Sequence, residues 1–138
     1  DLKAAVPDGV DVYFENVGGH VWDAVLPRLN TYARVPVCGL VASYNATELP
    51  PGPDRTPYLM TSILTKSITM RGFIQDEFVK DHHKDFQRDV SAWIASGELR
   101  HREDIVEGLE NAPEAFVGLL TGKNFGKLLI RVGDDPTR

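Results

Sequence analysis

Two short stretches combine residue types that could hold a ligand. Asn16 stands immediately before Val17-Gly18-Gly19, so an amide side chain meets a backbone that glycine opens to close approach. At the end of a strand in a parallel sheet this pairing suits ribose hydroxyls, although an asparagine in that place also serves as a plain helix cap. The second stretch, Cys38-Gly39-Leu40-Val41-Ala42-Ser43-Tyr44, is small and apolar up to its last two residues. A flat ring could lie along such a backbone while Ser43 and Tyr44 hydrogen-bond its polar edges. Cys38 itself is expected to be buried and inert, because it ends an apolar strand with no predicted base beside it. His82-His83, flanked by Asp81 and Asp85, are neighbours in a predicted helix and so point about 100° apart, unlike the i,i+4 pairs that bind metals. They read as solvated surface, as do Glu110 and Glu114, and no paired carboxylates suggest a hydrolase.

The elements that must position these residues follow from periodicity. Val10 to Val17 is rich in β-branched and aromatic residues and stops at Gly18-Gly19, as a buried strand would. Val21, Trp22, Val25, Leu26 and Leu29 then recur at helical spacing, with Asn30 as the expected stop, before a second strand from Ala33 to Cys38. Strand, helix and strand in about 30 residues make a βαβ unit, whose ligands collect at the carboxyl ends of the strands. The proline-rich LPPGPDRTP stretch reads as an ordered functional loop. A short helix is expected over Pro57 to Leu64, an edge strand over Ser67 to Ile74, and a long helix from Phe78 to Ser96 closed by Gly97. Asp104 to Leu109 is a short strand, Asn111 to Thr121 a helix with proline in its first turn, and Lys127 to Val132 the last strand, after which the GDDPTR tail should fray.

Composition excludes several classes. The 138 residues fit one domain or part of one, 42% of them are hydrophobic, and 15 basic against 20 acidic residues give a formal charge of -5. That balance lacks the basic stripe needed for nucleic acid or an anionic membrane surface. No apolar run approaches the roughly 20 residues of a membrane-spanning helix. One cysteine allows neither an intrachain disulfide nor a Cys-rich zinc site, which favours a reducing, cytoplasmic setting. The chain starts at Asp1 in mid-pattern, which reads as a cut from a longer protein.

Taken in order, VDVYFENVGG, VCGLVASYN, LPPGP, MRGFI and IVEGLENAPEAFVGLLTGKNFGKLLI resemble the C-terminal portion of a zinc-independent medium-chain dehydrogenase/reductase group, that of the prostaglandin reductases, leukotriene hydroxydehydrogenases and curcumin reductases. The resemblance implies an α/β fold: residues 1–138 would be the C-terminal part of a dinucleotide-binding domain, with strands 4 to 6 of a Rossmann-type doubly wound parallel sheet and a terminal segment returning to a catalytic domain. The catalytic domain and the Gly-rich phosphate loop would lie upstream, so that the first strand here lacks a pairing partner and this chain alone should hold a dinucleotide weakly. The implied cofactor is NADPH and the implied reaction is hydride transfer to the β-carbon of an α,β-unsaturated carbonyl substrate, with protonation at the α-carbon. Zinc takes no part. Carried over residue by residue, Asn16 would lie beside the nicotinamide ribose and Cys38, Gly39, Leu40, Val41, Ala42, Ser43 and Tyr44 along the cofactor. Phe73, Ile74 and Gln75 would present backbone to the carboxamide, and Asn124 would add a further contact. Some relatives have a substrate-facing tyrosine where this chain has Thr65, and no catalytic residue is assigned. The group also implies a homodimer through the Ser67 to Ile74 edge strand. A dimerisation or ligand-binding module without turnover, or a quinone reductase of the same superfamily, are the alternatives.

Overall fold

The structure is a computed structural model that describes residues 1–48 and 51–134. Leu49 and Pro50, in the proline-rich loop, and residues 135–138, in the tail expected to fray, lie outside the described residues. The chain forms two compact units, Asp1–Lys80 and Asp81–Arg138.

The first unit opens with α1 (Leu2–Ala5) and builds a three-stranded parallel sheet in the order β1-β2-β3, from β1 (Val10–Val12), β2 (Leu29–Val37) and β3 (Thr69–Gly72). The crossovers carry α2 (Gly19–Val25) and α3 (Thr56–Lys66). β2 is central, and its inward residues Leu29, Ala33 and Val35 are buried with Val25, Leu26 and Ile68. Leu59 and Ile63 of α3 pack on that cluster. Burying each large aliphatic side chain contributes about 1.5 to 3 kcal/mol, so this cluster holds the unit together.

Several expected boundaries move, each for a physical reason. β1 ends at Val12 although the expected strand ran to Val17. The chain still tracks β2, since Tyr13 N–H donates to the Arg34 carbonyl at 3.1 Å, Glu15 N–H donates to the Pro36 carbonyl at 2.9 Å, and Glu15 pairs in parallel with Val37. The rung between them is missing because Pro36 has no N–H to give the Tyr13 carbonyl. Nor is this strand buried on both faces: Val12 and Phe14 are 53% and 52% exposed. Asn30 does not stop a helix. A 3-10 turn (Leu26–Arg28) ends the crossover and Asn30 already belongs to β2, where its amide donates to the Asp8 carbonyl and to Asp11 Oδ1. The edge strand is shorter than Ser67 to Ile74, because Ser67 takes a left-handed conformation (φ 51°) that closes α3 and the chain turns after Gly72 toward the next helix. α3 begins a residue earlier than expected, where Asp54 Oδ1 accepts the Thr56 N–H at 2.9 Å; that bond holds the Asp54 carboxyl below its ordinary pKa.

The long helix α4 (Asp76–Ser96) starts in the first unit and runs into the second. Gly97, with φ 76°, closes it in the left-handed conformation. β4 (Glu103–Glu107) and β5 (Lys127–Arg131) then pair in parallel in full register, joined through α5 (Ala112–Leu120). Among the described residues of this unit no apolar side chain is buried; the one buried residue of α5 is Gly118. The α4 stripe of Phe86, Trp93 and Ile94 is exposed. No helix among the described residues is long and apolar enough to cross a membrane.

Candidate functional site

The carboxyl ends of β1, β2 and β3 lie in the first unit, and Glu15 joins the first two. Glu15 is buried, with 2% of its surface exposed. Its Oε1 accepts the N–H of Val17 at 2.6 Å, the N–H of Gly18 at 2.8 Å and the Tyr13 hydroxyl at 3.2 Å. Burial, then the Glu15 charge and its hydrogen bond, raise the Tyr13 phenol above its ordinary pKa. The Glu15 carbonyl meanwhile accepts N–H from Cys38 at 2.9 Å and from Gly39 at 3.2 Å. The two loops then continue side by side: Val41 N–H donates to the Asn16 carbonyl and Ala42 N–H to the Val17 carbonyl, at 3.1 and 2.9 Å.

Glycine makes that approach possible. Gly18 has φ 73°, and a Cβ there would lie 3.1 Å from Cδ2 of Leu40. A Cβ on Gly39 would lie 3.0 Å from the Tyr44 hydroxyl, which folds back across the loop to accept the Leu40 N–H at 3.4 Å. Asn16 is exposed and is not a helix cap, since α2 is preceded by Gly18, which has no side chain to cap with. That removes the simpler of its two readings.

At the end of β3, Phe73 N–H donates to the Val37 carbonyl at 3.1 Å. Its ring packs edge-on against Phe14 (centroids 5.8 Å apart) and Phe78 (5.5 Å). Glu77 pairs with Arg71 across the turn, so Phe73 and Ile74 are held between two fixed points. A cleft of about 490 Å³ lies between the β2 and β3 ends. Cys38, Gly39, Leu40, Tyr44, Phe73 and Ile74 line it, with Val37, Gly72 and Glu77. Its wall is largely apolar, as a flat heteroaromatic ring requires, with the Tyr44 hydroxyl and backbone amides for polar edges.

Six of the expected site residues therefore share one cleft. Val41, Ala42 and Ser43 form the exposed 3-10 turn beside it, joined to the Asn16 turn by the bonds given above. Gln75 is exposed, and its carbonyl accepts N–H from Phe78 and Val79 in the first turn of α4. Asn124 belongs to the second unit, where its amide donates to the Gly126 carbonyl at 2.8 Å and it lines a separate cavity of about 300 Å³ with Asp104, Glu114 and Lys123. Cys38 is exposed, against expectation, because β2 ends at Val37 and the cysteine already belongs to the loop. His82 and His83 lie exposed on α4, and among the described residues no group of three His, Cys, Asp or Glu side chains could hold a metal ion. Sequence reasoning missed Glu15, Phe14, Phe78 and Glu77. Only Glu15 carried a signal: a carboxylate inside an apolar strand run, next to a Gly-Gly turn.

Known proteins are similar to this chain. The family described as zinc-binding dehydrogenase matches residues 1–130. The NADPH-dependent curcumin reductase of Escherichia coli (strain K12) is 58% identical over 135 residues, which is 97% of this chain and 39% of that protein. Prostaglandin reductase 1 of Oryctolagus cuniculus is 39% identical over 127 residues, 91% of this chain and 35% of that protein. The crystal structure of CurA from Vibrio vulnificus in complex with NADPH superposes with a TM-score of 0.89 at 51% identity, over 97% of this chain and 40% of that one. A Pseudomonas syringae quinone oxidoreductase, 14% identical with a TM-score of 0.68, shares the fold alone. The chain thus spans 39% and 35% of the length of the curcumin reductase and the prostaglandin reductase. It belongs to the zinc-binding dehydrogenase family, in the group of the curcumin and prostaglandin reductases.

Proposed function

We propose that this chain supplies the nicotinamide-facing part of the site in an NADPH-dependent oxidoreductase that reduces the C=C bond of α,β-unsaturated carbonyl compounds. The observation that carries the reading is the apolar cleft between the β2 and β3 ends, walled by the loop from Cys38 to Tyr44 and the Phe73-Ile74 turn, with the Asn16 turn hydrogen-bonded to that loop. The similarity to CurA in complex with NADPH, over 97% of this chain, supports the same ligand. The residues fit that group: Leu40, Phe73 and Ile74 offer a flat apolar wall, Tyr44 a hydroxyl, and Asn16 an exposed amide for ribose hydroxyls. The bound dinucleotide would supply the hydride, and the chain's own residues orient its ring and keep water from it.

Charge at the Asn16 turn supports this end of the cofactor over its phosphates. Successive backbone N–H groups in a turn make an anion site, but here the Val17 and Gly18 N–H groups are already taken by the Glu15 carboxylate. A neutral ribose meets no such competition. Residues 1–138 are accordingly read as the C-terminal part of a dinucleotide-binding domain, with Asn124 as a further cofactor contact. We also read β3, an edge of its sheet, as the strand through which a cytoplasmic homodimer forms.

In the full-length protein, Asn16→Ala and Tyr44→Ala should each weaken NADPH binding by about 1 to 3 kcal/mol, the usual cost of an unsatisfied partner. The check is the Michaelis constant for NADPH during enone reduction. Wild-type constants in both variants would remove these residues from the site.

A further inference from the structure

We infer that Glu15 is a positioning residue, whose buried carboxylate fixes the turn that presents Asn16 to the ligand. The inference rests on the proposal that this cleft takes the nicotinamide end of the cofactor. A carboxylate is almost never fully buried unless paired, because losing its hydration costs several kcal/mol. Glu15 is buried to within 2% of its surface, yet among the described residues it forms no ion pair. Only one of its oxygens is bonded; Oε2 is buried without a hydrogen-bond partner among the described residues. Its position is inward-facing, like that of Tyr13, while Val12 and Phe14, which alternate with them, face outward. An aliphatic residue would therefore fill the place without the desolvation cost.

What the carboxylate does achieve is local order. Oε1 draws the Val17 and Gly18 N–H groups to one point, which bends the chain immediately after Asn16 and holds Gly18 at its positive φ of 73°. The main-chain carbonyl of the same residue ties down Cys38 and Gly39, the start of the opposite wall. Asn16 stands between these two attachments, its own carbonyl bonded to Val41. Without the side-chain bonds the peptides after Asn16 lose their fixed direction, and the exposed amide loses the pose in which it meets the ligand.

A double-mutant cycle in the full-length protein tests this. NADPH dissociation constants are measured by cofactor fluorescence for wild type, Glu15→Ala, Asn16→Ala and the double variant, with circular dichroism to confirm folding. If Glu15 acts through Asn16, each single variant weakens binding about tenfold or more and the double variant is hardly worse than either, because residues of one unit are not additive. A purely structural role for Glu15 gives losses that multiply, and that result, or unaltered binding in Glu15→Ala, overturns the inference. Should Glu15→Ala not fold, the same cycle is run with Glu15→Asp, which keeps the charge but withdraws the oxygen from the turn, and is judged by the same outcomes. The underlying reading fails separately: Asn16→Ala alone would then bind NADPH as wild type does.

Discussion

The two units of this chain use the same kind of secondary structure and reach opposite ends of burial. In the first, a central parallel strand is covered by two crossover helices, and six apolar side chains are buried. In the second, two parallel strands and a helix form with good register, yet no described apolar side chain is buried, while Phe116, Val117 and Phe125 are exposed by 60% or more. Parallel strands ordinarily need cover on both faces, and two strands are marginal by themselves. Backbone pairing is thus satisfied in both units, whereas hydrophobic stabilisation is concentrated in one. The candidate cleft belongs to the unit that can hold its walls still.

The strongest way to break this comparison is to delete core volume in each unit. Leu29→Ala should cost about 2 to 5 kcal/mol, the range for a fully buried leucine. Leu129→Ala, at a half-buried position of β5, should cost less than half of that. Urea unfolding gives both numbers, and equal losses would show that the second unit has a core of comparable weight.

Amide hydrogen exchange sharpens the same contrast at lower energy. The amides of Ala33 and Val35 should exchange at least about tenfold more slowly than those of Ile105 and Leu129, because strands with few buried apolar contacts open locally at low free energy. Matching protection in β2 and β5 would refute that ranking.

The smallest expected effect is one of pH, again confined to the first unit, where Glu15 is the buried charged side chain among the described residues. Burial and the Glu15 charge raise the Tyr13 phenol above 10.0. The folded state therefore holds that proton more tightly than the unfolded chain does. Its contribution to stability is complete below pH 10.0 and is lost as pH rises through the folded-state value. Melting temperatures measured across that range should fall more steeply for wild type than for Tyr13→Phe; parallel curves would mean that Tyr13 is not coupled to folding.

Much of this was legible in the residues. The run from Val10, the helical spacing of Val21, Trp22 and Val25, and Gly97 after a long amphipathic stretch all correspond to elements seen in the fold. The glycines at the strand ends were legible too, because positive φ and close approach leave few other choices. Less legible were the places where a neighbour decides. Pro36 reads as an ordinary strand residue until its missing N–H interrupts a rung, and Asn30 reads as a helix stop until its amide reaches Asp8 and Asp11. Phe14 gains its relation to Phe73 only through packing across elements far apart in the chain.

By itself, then, the sequence determined the order and type of elements, the two loops at strand ends, and the resemblance to a reductase group, since all three depend on local spacing and residue chemistry. Only the tertiary structure decided that Glu15 joins those loops, that Cys38 is exposed, and that among the described residues the buried apolar side chains all belong to the first unit. Burial and hydrogen-bond partnership are properties of pairs distant along the chain, and no local pattern specifies them.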